Sequence, residues 1–350
     1  MTPRPGKRRS RAIAVVVAAT TLLPVPSKAA CPTPAADGAM VVGDALVIRK
    51  GLAVNPDGAA GSYTPGDHGF TYIANGVNLR GGQGWLSCSK VHAAQCRAAW
   101  FKAEAGGFGP GTPEFCVFAM EVEPLTPGAG LVSCQGGGRS IAGGGKGRPR
   151  AGPPTPAVGG GTVRPYLSTT SLKHTRDGKA VYVDSAAVPG LVAPRARGSL
   201  VGAVAWVRWN GRSSFAIVND TGPAFGEASL ALHQLLRYGA VGPAQPLGPI
   251  PRELRCGPEE QALRAPFESR PDISGDRCRP GHRPAGPSDI RGYLGIPDGV
   301  EMVILPRVKP PMKGAHLVTE EISPVRLEAL AAAAGYTPER LAAVAACQVK

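Results

Sequence analysis

Aromatic side chains are scarce, at 5% of 350 residues. No apolar run approaches the about 18–20 residues a helix needs to cross a bilayer, so a stable membrane anchor is not expected. The eight cysteines include no Cys-x-x-Cys, which sets aside zinc ribbons and thioredoxin-like redox motifs. No Gly-x-Ser-x-Gly occurs, which weighs against a common serine esterase. No basic patch is interleaved with aromatics, so nucleic acid is not an expected partner. GGGKG at 143–147 lacks the Ser or Thr that a phosphate-binding loop places after its lysine. No His, Cys and acid spacing suggests a metal site, and no cofactor is expected.

What is present begins with an export signal. Residues 1–11 carry five basic residues and no acid, AIAVVVAATTLL follows at 12–23, and small residues surround Ala29 and Ala30. This order describes a secretory signal peptide over 1–30. Cys31 follows the expected cut, but Lys28 stands where a lipoprotein signal wants leucine. Removing the six basic residues of 1–30 lowers the net charge from +14 to +8, compatible with an anionic or wall-polymer partner. Export to an extracellular or periplasmic space favours structural disulfides. Of the possible pairings, Cys256–Cys278 is the one expected, because it would close a Pro- and Arg-rich loop.

The chain divides by composition. Residues 31–66 read as an irregular segment with one strand, ALVIRKGLAV. In 67–134, FTYIANGVNL suggests a hairpin turning at Asn75-Gly76, AAQCRAAWFKAEA a helix, and FCVFAMEVEP a strand. Residues 135–161 are rich in Gly and Pro and read as a loop or linker. The best-organised part is 162–308, interrupted by a Pro/Arg-rich insertion at 241–292. There Asn210-Gly211 joins two apolar strands, GEASLALHQLLRYG forms a short helix stopping at Gly239, and GVEMVILPRV adds a late strand. In the tail, 309–350, Ser323-Pro324 and Thr337-Pro338 start two helices.

Chemistry concentrates at one corner, SFAIVNDTGPAFGEASLAL. An apolar strand ends in Asp220, a Thr-Gly-Pro turn follows, and Glu227 opens the next apolar segment. Asp before such a turn and Glu at a helix start each have a structural explanation. Two carboxyls facing one space are also the minimum equipment of most glycosidases, one donating a proton and the other ionised. Glu227 is assigned as donor and Asp220 as base, with the reverse possible. Asn219 and Thr221 stand where they could hold a sugar hydroxyl or a water, or simply bond the turn. Trp206 and Trp209 lie three apart on a strand, so one would be core and the other free to stack on sugar. Asp184 is expected in an Asx turn, and His174 as a solvated loop histidine.

YLSTTSL, YVDSAAVPGLVAP, the acid-bearing corner and VEMVILP resemble, in that order, the fungal-type chitosanases of glycoside hydrolase family 75 and their bacterial relatives. The likeness covers roughly 164–238 and 293–306. It implies a compact six-stranded double-psi-like β-barrel; with the short helix after the catalytic strand and the two C-terminal helices read above, the chain is expected to be mainly β (α+β). It also implies endo-hydrolysis of β-1,4-linked amino-sugar polymer with inversion, with Asp220 and Glu227 as the necessary pair. A monomer is expected. Fungal members carry an acid-rich segment upstream, and YIANGVNLRGG has no acid. The glycan therefore stays open between chitosan and a wall polymer such as peptidoglycan, and a non-hydrolytic glycan-binding module on the same fold stays a rival.

Overall fold

A computed structural model describes residues 31–88, 92–134, 139–157, 159–242, 247–248, 295–318 and 322–347. Six strands close on themselves: β1 (Ala45–Val54), β2 (Gly190–Pro194), β3 (Val204–Trp209), β4 (Arg212–Gly222), β5 (Glu227–Ala228) and β6 (Ile296–Leu305). Round the barrel the order is β1, β5, β2, β4, β3, β6 and back to β1. Two neighbouring pairs are parallel, β5 with β1 and β4 with β2; the other four are antiparallel. Closure leaves no open edge, and a parallel pair brings the same ends of two strands together.

Both faces of these strands are apolar because both are covered. All six strands contribute to one buried cluster, including Leu46, Ile48, Ala205, Val218, Ala228 and Met302, and this set fills the lumen. A second cluster joins Val47, Trp206, Ile217 and Val303 to two C-terminal helices, α3 (Pro324–Ala333) and α4 (Pro338–Ala345). Ser323 and Thr337 cap them by accepting the Arg326 and Arg340 N–H groups. Before them, α2 (Leu230–Tyr238) follows β5 directly. Ser229 caps it, and Gly239 ends it at φ 82°. The Asn210-Gly211 hairpin forms as expected, with both residues at positive φ.

Residues 61–142 build a satellite lobe around Trp100 on α1 (Ala93–Ala105). Disulfides Cys88–Cys96 and Cys116–Cys134 staple it, and Cys31–Cys347 ties the start of the described chain to its end. The expected Cys256–Cys278 pair and the 1–30 signal lie outside the described residues.

Two expectations about local structure change. Asn75-Gly76 is not a hairpin turn: Ile73–Asn75 is a 3-10 turn, and the strand Val77–Gly81 turns back at Gly81 to Gly84. The Gly-rich region around GGGKG is not a free loop. Strands Ser140–Ala142 and Arg148–Pro149 flank it, and Lys146 Nζ bonds Glu114 at 2.8 Å. The strand expected at ALVIRKGLAV forms, as barrel strand β1. Among the described residues, no helix is long and apolar enough to cross a membrane.

Candidate active site

The approach to Asp220 turns on one extra residue. Strand β2 pairs Leu191 with Val218 but Val192 with Asp220, so Asn219 forms a bulge. A bulge reverses the in-out alternation of a strand. Asp220 thereby leaves the lumen-facing series of Ala216 and Val218 and lines a cleft of about 600 Å3. Its Oδ1 accepts the Thr221 N–H at 2.8 Å, the Ser171 N–H at 3.0 Å and the Ser171 hydroxyl at 2.9 Å. Thr221 also lines the cleft, its hydroxyl 2.9 Å from that of Ser171.

Glu227 reaches the same cleft from another strand. It lies on β5, ahead of the Ser229 cap, and not in the first turn of the helix. Parallel pairing sets Glu227 beside Ala53 of β1, and the Asn55 N–H continues the ladder to the Ala228 carbonyl at 2.7 Å. Asn55 Nδ2 then donates to Glu227 Oε2 at 3.4 Å. The same amide lowers the Asp220 carboxyl as well, and both acids line one cleft.

A third carboxyl, Asp57, lines the cleft beside them. The Asp57 N–H donates to Asn55 Oδ1 at 2.8 Å, which orients the Asn55 amide. The Asp57 carboxyl accepts the Tyr63 hydroxyl at 2.8 Å. Gly58 holds this turn at φ +93°, where a Cβ would meet the Val183 carbonyl at 2.2 Å. Asp57 was missed in the sequence because Asn-Pro-Asp-Gly reads as ordinary turn chemistry. Only the pairing of β1 with β5 shows where that turn faces.

Burial raises all three carboxyls above their ordinary range. For Asp220 it outweighs the hydrogen bonds from Thr221 and Ser171. For Glu227 the Asp220 charge adds to it, while Asn55, Arg195 and Lys50 oppose it. Asp57 is raised well above its usual value, through burial and then the charges of Asp220 and Glu227.

The remaining expected site residues lie elsewhere. Asn219 is 3% exposed, its amide packed where a Cβ on Gly190 would stand; it supports the bulge and does not line the cleft. Trp206 is core, paired across strands with Phe215. Trp209 sits at the hairpin end of β3, opposite Arg212. Asp220 lies eight residues beyond Arg212 on β4, about 25 Å along the strand, and neither tryptophan lines the cleft. Its aromatic walls are Tyr63 and Phe118, with the Arg139 guanidinium over the Phe118 ring at 5.0 Å. His174 is buried on the strand Lys173–Arg176, not solvated in a loop. Asp184 does form the expected Asx turn, accepting the Ala186 N–H at 2.9 Å. Among the described residues, no cluster of three or more His, Cys, Asp or Glu could hold a metal.

The chain matches no protein-family model, and no curated protein matches it. What the cleft does is therefore argued from its chemistry.

Proposed function

We propose that the chain is a secreted endo-acting glycoside hydrolase that cleaves β-1,4-linked amino-sugar polymers, chitosan-like in type, on a barrel of the double-psi kind. The observation that supports it most is the meeting of Asp220 and Glu227 in one open cleft, with Asn55 beside them. In the two-carboxyl scheme, one group protonates the leaving oxygen while Asp220 draws a proton from water, and the configuration at the anomeric carbon inverts. Three N–H and O–H donors on one oxygen suit Asp220 to the ionised role. The resemblance to family 75 chitosanases points the same way, and three disulfides fit an oxidising compartment.

The test is incubation of the exported chain with chitosan, chitin and peptidoglycan, scored by new reducing ends. Turnover of at least one polymer is expected. Glu227→Gln should lower it by roughly 10²-fold or more while leaving polymer binding in place. A chain that binds glycan, releases no reducing ends and is indifferent to Glu227→Gln would be a binding module instead.

A further inference from the structure

We infer that Asp57 is the proton donor of this site, with Asp220 and Glu227 working as the ionised pair. This rests on the hydrolase reading and changes its assignment of roles.

The partners of each carboxyl carry the inference. An N–H group can only donate, so it suits a carboxylate and cannot accept from a carboxylic acid. Asp220 Oδ1 meets two backbone N–H groups. Glu227 meets the Asn55 amide N–H, in the field of Arg195 and Lys50. The Asp57 side chain differs: its partner is the hydroxyl of Tyr63, at 2.8 Å. A hydroxyl can turn to donate or to accept, so this pocket tolerates a carboxyl in either protonation state. Three like charges in one cleft oppose full ionisation. The proton that remains falls to the member whose surroundings do not require a charge, and burial with the charges of Asp220 and Glu227 also raises Asp57.

In the reaction that follows, the Asp57 carboxyl passes its proton to the glycosidic oxygen as the bond from that oxygen to the anomeric carbon breaks. Asp220 takes a proton from water, whose oxygen bonds to the anomeric carbon from the opposite face. Glu227 stays ionised and offsets the positive charge that develops on the sugar. The cycle ends with Asp57 ionised and Asp220 protonated, and solvent exchange restores both.

The experiment compares the parent chain with Asp57→Asn, Glu227→Gln and Tyr63→Phe. Each is assayed across pH on polymer and on an aryl glycoside of the same sugar, whose phenol leaves without a proton. Each is also scanned at neutral pH for the infrared band of a protonated carboxyl. Asp57→Asn should lose polymer turnover roughly 10²-fold or more, keep aryl glycoside turnover, lose the alkaline limb of the pH profile and lose the infrared band. Glu227→Gln should keep both band and limb. Tyr63→Phe removes a hydrogen bond that lowers the Asp57 carboxyl, so the alkaline limb should move to higher pH; no movement would count against the inference even if Asp57→Asn misfolds. Loss of band and limb in Glu227→Gln instead would return the donor role to Glu227 and leave the hydrolase reading standing. If the parent chain cleaves neither polymer nor aryl glycoside, the hydrolase reading falls and the donor role with it.

Discussion

Asp57 and His233 illustrate how single buried groups couple this site to pH. An unfolded aspartate ionises near about 3.9. In the folded chain burial and two neighbouring charges raise Asp57, so between the two values the folded state holds the extra proton. Stability therefore falls as pH rises through that window. Asp57→Asn should melt a few degrees above the parent at pH 7 and level with it at about pH 3, below both values, as thermal unfolding across pH would show. His233 behaves in the opposite sense. It is fully buried on α2, its Nε2 lies 3.1 Å from the Ala53 carbonyl beside the site, and burial lowers it to about 4. The unfolded ring, with its pKa near 6.5, binds its proton first, so stability is full above that value and drains as pH falls through about 4. The loss is on the order of 3 kcal/mol. His233→Gln should flatten this part of the acid-unfolding curve. Neither effect could be read from sequence, since His233 sits in a plain amphipathic pattern and Asp57 in a plain turn.

At the scale of elements, strands and helices announce themselves by periodicity and caps, and most were legible. The Asn210-Gly211 turn, the Ser323 and Thr337 caps and the stop at Gly239 needed no tertiary context. Asn75-Gly76 misled because the same dipeptide serves a 3-10 turn when Tyr63 packs against it; a Cβ on Gly76 would stand 3.0 Å from that ring. The cap of α2 does more than end a helix. Ser229 Oγ accepts the Leu232 N–H at 3.2 Å and the Gly190 N–H at 2.7 Å, and donates to the Val188 carbonyl at 2.8 Å. It thus ties β2 to the segment bearing Glu227. Ser229→Ala should cost about 2 kcal/mol in chemical denaturation, near the upper range for a lost cap. Gly58→Ala puts a side chain into the Val183 carbonyl at a positive φ. It should lower the melting temperature and abolish turnover together, by displacing the Asp57 turn.

For the molecule as a whole, the longest covalent loop is the most informative constraint. Cys31–Cys347 spans a sequence separation of 316, and loop-closure entropy makes such a bridge worth up to about 5 kcal/mol. Cys31→Ser with Cys347→Ser should lower the unfolding midpoint by more than loss of Cys88–Cys96, whose loop spans only 8. The same bridge uses the cysteine that stands where a lipoprotein would carry its lipid. Sequence alone determined most strand and helix types and the corner bearing Asp220 and Glu227, because each depends on side chains within a few residues of one another, and its even cysteine count suits an oxidising compartment. Tertiary structure alone decided that Asn219 supports a bulge, that Trp206 and Trp209 stay away from the cleft, and that Asn55 and Asp57 join the two acids. Those outcomes depend on register: one skipped residue in the β2–β4 pairing turns Asp220 outward, and the parallel pairing of β5 with β1 carries a distant turn to its side.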